Sequence, residues 1–119
     1  MNKVCVIGNL ARDPELRTTV NTGVSVCTFT LAVNRRGKND AADFIPVVAW
    51  RELGELCARY LRKGKKAAVW GEMQTRSYED EGGVRRYVTE IIAAEVEFLS
   101  PKEAAAPPAD EYGYWEGSM

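Results

Sequence analysis

Apolar and polar positions alternate along most of the chain, and the exceptions mark where its elements begin and end. Val4-Cys5-Val6-Ile7 is a short, β-branched apolar run closed by Gly8-Asn9, and it predicts a buried strand. Ala11 to Gly23 carries the turn signals Asp13-Pro14 and Asn21-Thr22-Gly23 and reads as a connection with a hairpin bend. From Val24 to Asn34 the alternation is clean. Cys27, Phe29, Leu31 and Val33 fall on one face and Thr28, Thr30 and Ala32 on the other, as in a half-buried strand. Arg35 to Ala42 is a polar loop. Phe44 to Trp50 is a third strand, in which Pro46 suits an edge or a bulge.

The period then lengthens. Leu53, Leu56, Cys57, Tyr60 and Leu61 recur at helical spacing and predict one amphipathic helix, with Arg59, Arg62 and Lys63 near its C-terminal end and Gly64 as its cap. Lys66 to Tyr78 and Val84 to Leu99 return to strand character around the loop Glu79-Asp80-Glu81-Gly82-Gly83, which predicts an antiparallel hairpin. Three strands, one helix and two strands specify a mostly β chain, a five-stranded OB-type barrel with the helix between strands 3 and 4. Residues 1–102 form that domain. Residues 103–119 begin with an Ala/Pro linker, contain no core pattern, and are expected to be a disordered acidic tail.

Charge adds little until its distribution is considered. The chain has 16 basic and 17 acidic residues, a net of −1. Residues 104–119 hold Asp110, Glu111 and Glu116 and no Lys or Arg, so residues 1–103 hold 16 basic against 14 acidic residues, and any basic surface must arise by clustering. There is no histidine and no CxxC pair, which removes the usual zinc ligands and the usual general base, so neither a metal, a cofactor nor an enzymatic activity is expected. Cys5, Cys27 and Cys57 stand among apolar neighbours and are expected in the core. No apolar run reaches the roughly 20 residues of a membrane span, and the N-terminus leads straight into a strand pattern, so a cytoplasmic location is expected.

Single-strand binding requires aromatic platforms for unpaired bases and cations along the phosphates. Phe44 and Trp50 are six residues apart in one strand, which puts them on one face. Tyr78 lies beside Arg76, with Arg85 and Arg86 across the hairpin turn, and Arg35 and Arg36 open the preceding polar loop. Aromatics in strands usually pack in the core, but rings interleaved with arginine suit both stacking and phosphate contact. A protein-binding module on the same barrel is the alternative reading, and it predicts no fluorescence change on adding oligonucleotide.

The order of residues resembles a known family. Asn2-Lys3-Val4 through Val6-Ile7-Gly8-Asn9-Leu10, then Asp13-Pro14-Glu15-Leu16-Arg17, Phe29-Thr30-Leu31-Ala32-Val33, Tyr60-Leu61-Arg62-Lys63-Gly64, Gln74-Thr75-Arg76 and Thr89-Glu90 are similar to bacterial single-stranded DNA-binding proteins. The resemblance runs from Asn2 to about Leu99. It implies an OB-fold homotetramer that wraps single-stranded DNA in replication, recombination and repair. It marks Phe44, Trp50 and Tyr78 as base-stacking residues, Arg76 as a backbone contact, and Lys3, Arg62, Lys63 and Lys65 as weaker contacts on the wrapping path. Two departures stand out. The loop from Arg35 to Ala42 lacks the tryptophan that some members carry, and the tail lacks the family's aspartate-rich Pro-Phe end, so recruitment of replication and repair proteins is expected to be weak. Trp70 falls where the family often has a polar residue; an extra stacking surface, a subunit contact and a partly exposed bystander are the open readings, with the subunit contact favoured.

Overall fold

Each stretch of alternation becomes a strand because it offers one face to a shared core and returns the other to solvent. The computed structural model describes residues 1–37 and 41–100. Its elements are β1 (Val4–Leu10), β2 (Glu15–Thr18), β3 (Ser25–Asn34), β4 (Ala42–Trp50), α1 (Arg51–Tyr60), β5 (Lys66–Glu79) and β6 (Arg85–Phe98). The hydrogen-bonded order is β1-β5-β6-β4-β3-β2, and β1 also pairs with β3, which closes five strands into a ring. Every pairing is antiparallel except β4 with β6. A five-stranded, mostly antiparallel ring with one helix inserted before the last hairpin is the OB barrel.

The helix lies between the fourth and fifth strands rather than between the third and fourth, because the segment read as a connection contains β2. Glu15–Thr18 is exposed throughout and has no apolar alternation to announce it. It is a strand only through its ladder to β3, in which Glu15 faces Thr28 and Thr18 faces Ser25. β1 and β2 lie in succession along β3. Ala11 N–H donates to the Thr30 carbonyl, and Glu15 is already opposite Thr28, so Arg12, Asp13 and Pro14 bulge out across from Phe29. The five-strand expectation thus describes the barrel, with its first strand broken in two.

The core draws Cys27, Phe29 and Leu31 from β3, Val47 and Ala49 from β4, Val69 from β5 and Ile91 from β6. α1 seals the barrel through Cys57, followed by Leu61 just beyond the helix. Gly54 lets the helix settle on the sheet, since a Cβ there would meet the Ala49 carbonyl. Three local expectations need correcting. Cys5 is exposed, because an unbroken run of four apolar residues does not say which side faces inward; pairing with β5 turns Cys5 and Ile7 outward. Leu56 and Tyr60, placed in the predicted apolar stripe, are 41% and 47% exposed, and the inward residues are Gly54, Cys57 and Leu61. Gly64 does not cap α1. The helix ends at Leu61, whose N–H bonds the Cys57 carbonyl, and Gly64 (φ 89°) occupies the third position of the turn closed by Lys65 N–H to the Arg62 carbonyl.

β5 and β6 form a long hairpin. Opposite the Trp70–Gly71 step, β6 accommodates one extra residue, Ala94, so its inward positions shift from Ile91 and Ala93 to Val96. Among the described residues no helix is long and apolar enough to cross a membrane, and no three of His, Cys, Asp or Glu are grouped to hold a metal ion.

Candidate nucleic-acid interface

Register decides which side chains share a face, because residues directly opposite one another across a ladder point the same way. In β3 and β4 the outward pairs are Val26 with Trp50, Thr28 with Val48, Thr30 with Pro46, and Ala32 with Phe44. Phe44 and Trp50 therefore stand at opposite ends of one open sheet surface, about 20 Å apart along the strand. They are 64% and 43% exposed, although a barrel of this size has core positions for large rings, as Phe29 shows. Arg51, which follows Trp50, takes a left-handed φ of 61°, a strained conformation for a non-glycine residue at the point where strand turns into helix.

The hairpin extends this surface. Arg76, Val88 and Glu90 line the same groove of about 410 Å³ as Thr28, Thr30, Pro46 and Val48. By register, Gln74 is opposite Glu90, Arg76 opposite Val88, and Tyr78 opposite Arg86, so Tyr78 and Arg86 belong to this side of the hairpin too. The Arg76 guanidinium carbon lies 5.8 Å from the centre of the Tyr78 ring, within cation–π range, and Tyr78 is 47% exposed. Phe44, Trp50, Tyr78 and Arg76, singled out from the sequence, thus come together on one face. Arg86 joins them.

The remaining candidate cations are placed differently. Arg85 is on the other side of the hairpin, donating to Ser77 Oγ at 2.9 Å and lying 3.7 Å from Glu79. Arg35 gives both Nε and a terminal nitrogen to Asp43, which raises the guanidinium pKa further, while its neighbour Arg36 is exposed. Lys3 lies near Trp70, Glu72 and Glu95, in a second depression that shares no residue with the groove. Arg62 turns its guanidinium back onto the Ala58 and Leu61 carbonyls at the end of α1. Lys63 N–H bonds Asp13 at 2.8 Å, and the Lys65 carbonyl accepts from Leu10, so the turn Arg62–Lys65 docks against the bulge at the end of the groove.

That bulge and β2 supply groove residues the sequence did not single out. Arg12 and Arg17 line the groove beside Thr28 and Thr30. The threonines were legible as the outer face of β3, but the arginines sit in a segment without periodicity, and only the β2 ladder, with the bulge leading into it, brings them to this surface. At the hairpin tip Asp80 accepts from Gly82 N–H, Val84 N–H and Arg86 Nε. The Arg86 bond and the Val84 amide hold its carboxyl below the usual carboxylate range. In the core, burial pushes the Cys27 and Cys57 thiols up to about 11 and about 12, so neither is available as a thiolate near neutrality.

An OB barrel with half-exposed rings and arginines along an open sheet face belongs to the class of barrels that receive an extended, unpaired chain on that surface. The model of the single-strand binding protein family matches residues 1–99, and the chain belongs to that family. It is 55% identical over 102 residues to Single-stranded DNA-binding protein 3 of Clostridium acetobutylicum, across 83% of this chain and 71% of that protein. Identity to the single-stranded DNA-binding protein of Clostridium tetani is 55% over 103 residues, covering 83% and 70% of the two chains. For that of Caldanaerobacter subterraneus it is 49% over 106 residues, covering 86% and 70%.

Proposed function

We propose that this chain coats and protects single-stranded DNA, without sequence preference and without catalysing a reaction, during DNA replication, recombination and repair in the cytoplasm. The observation that carries the reading is the exposure of Phe44, Trp50 and Tyr78 on one surface with Arg76 among them. Stacking on rings accepts every base, since each has a π-face, and arginine meets the phosphates that every nucleotide carries. Such a surface discriminates between paired and unpaired strands, not between sequences. The names of the relatives agree with it. Titration with oligo-dT, followed by tryptophan fluorescence, tests it: quenching with a low dissociation constant that rises with salt is expected. Equal affinity for duplex of matched length would refute it.

A homotetramer is proposed with it. Among the described residues only the last of β1 pair with β3, leaving a long edge, and beside that edge Cys5, Ile7 and Trp70 are exposed on the outer surface. Trp70 is 37% exposed directly opposite Cys5, which suits a subunit contact. Recruitment of replication and repair proteins was expected to involve residues 103–119, which lie outside the described residues.

A further inference from the structure

Arg76 and Arg86 are gripped in the same manner. Each gives its Nε–H to a carboxylate on the hairpin, Arg76 to Glu90 Oε2 at 3.0 Å and Arg86 to Asp80 Oδ2 at 2.8 Å. Among the described residues, neither makes a further hydrogen bond through its terminal nitrogens. A guanidinium has one donor on Nε and four on its terminal nitrogens, and with Nε engaged the fork of two terminal nitrogens still offers phosphate a two-point contact. A carboxylate bonded at Nε therefore fixes the direction of the fork without occupying it. Arg35, which commits Nε and a terminal nitrogen to Asp43, shows the contrasting arrangement.

Glu90 is the more telling of the two carboxylates, because Asp80 also builds the turn. Among the described residues Glu90 is the buried charged side chain, at 8% exposure, whereas the Arg76 side chain it holds is 59% exposed. On a face that receives phosphates a carboxylate opposes binding by its charge, and its burial carries a desolvation cost. Neither packing nor net charge accounts for an acid at this position. Orientation does.

We propose that Glu90 is a positioning residue for DNA: it holds Arg76 by the Nε edge, beside the Tyr78 ring, so that the terminal nitrogens point to the path of the phosphates. The proposal rests on the reading of this face as the DNA surface. Its mark is the sign of a mutational effect. Removing a negative charge from a phosphate-binding surface should tighten binding, but removing a positioning residue should weaken it.

The test measures oligo-dT affinity at fixed salt for the full chain, referred to the folded fraction of each variant. Glu90→Ala is expected to weaken binding about tenfold, the size of coupling usual for residues in direct contact. Glu90→Gln keeps an oxygen to accept the Nε–H and is expected to restore wild-type affinity or exceed it. In an Arg76→Ala background, Glu90→Ala is expected to have no further effect. Tighter binding by Glu90→Ala, or an equal loss with and without Arg76, would overturn the proposal. Should Glu90→Ala fail to fold, Arg76→Lys decides. A lysine cannot hold Glu90 and present a fork at once, so binding should fall nearly as far as in Arg76→Ala, and near-wild-type binding would overturn the proposal. Failure of the wild-type chain to bind oligo-dT would sink the functional reading itself, whereas normal wild-type binding with an unaffected Glu90→Ala would sink this inference alone.

Discussion

Phe29 and Phe44 carry the same side chain with opposite fates, one 4% and the other 64% exposed. Substitution should separate them. Phe29→Ala is expected to cost about 3–5 kcal/mol of folding stability, as large core truncations do. Phe44→Ala, Trp50→Ala and Tyr78→Ala should each cost about 1–3 kcal/mol of oligonucleotide binding and leave the melting temperature nearly unchanged. Melting and titration of the same four variants check this, and a pattern of lost stability without lost binding at the exposed rings would assign them to packing. The cysteines divide similarly. Cys5 is exposed, while Cys27 and Cys57 are buried with thiols raised to about 11 and about 12. A thiol reagent at neutral pH should leave Cys27 and Cys57 unmodified in the native chain and reach all three cysteines in denaturant.

At the scale of elements, two junctions control how the surface is presented. α1 reaches the barrel only because Gly54 has no Cβ to meet the Ala49 carbonyl. Gly54→Ala is expected to lower stability by about 1–3 kcal/mol, the usual cost of forcing a well-packed contact apart, as a denaturant titration would report. The hairpin tip depends on Asp80, whose carboxyl is held below its usual range by Arg86 and the Val84 amide. A group with a lowered pKa in the folded chain stabilises it above the unfolded value, and that contribution disappears as pH falls through the folded value. The Gly82 and Val84 amides should therefore keep their protection down to about pH 4, roughly the ordinary aspartate value, and lose it as pH falls further. Amide exchange measured down that range checks it, and Asp80→Asn should abolish the pH dependence while weakening the turn.

Across the whole molecule, the outer surface at β1 and β5 stands apart from the groove. Cys5, Ile7 and Trp70 are exposed there, next to an edge of β1 that has no strand partner among the described residues. Open edges and apolar surfaces are usually covered in assemblies. Sedimentation should show a tetramer at micromolar concentration, and Trp70→Glu should shift it toward smaller species. A stable monomer under those conditions would contradict the proposed assembly, and an unchanged tetramer in Trp70→Glu would remove Trp70 from the contact.

Sequence by itself determined what depends on periodicity and residue chemistry. The alternation of Cys27, Phe29 and Leu31 against Thr28 and Thr30 specified β3 and its inward face. The change of period at Leu53 specified α1, and the spacing of Phe44 and Trp50 placed both rings on one side of β4. These are local properties of strand and helix geometry and need no knowledge of neighbours. Tertiary structure alone decided the rest. β2 exists because β3 provides a ladder for four exposed residues, and that ladder, with the bulge leading into it, brings Arg12 and Arg17 to the groove. The sides taken by Cys5, Arg85 and Arg86 follow from register, which a run of like residues does not encode. Arg76 and Arg35 look alike in the sequence. The carboxylates folded against them differ, leaving the fork of one open and engaging that of the other.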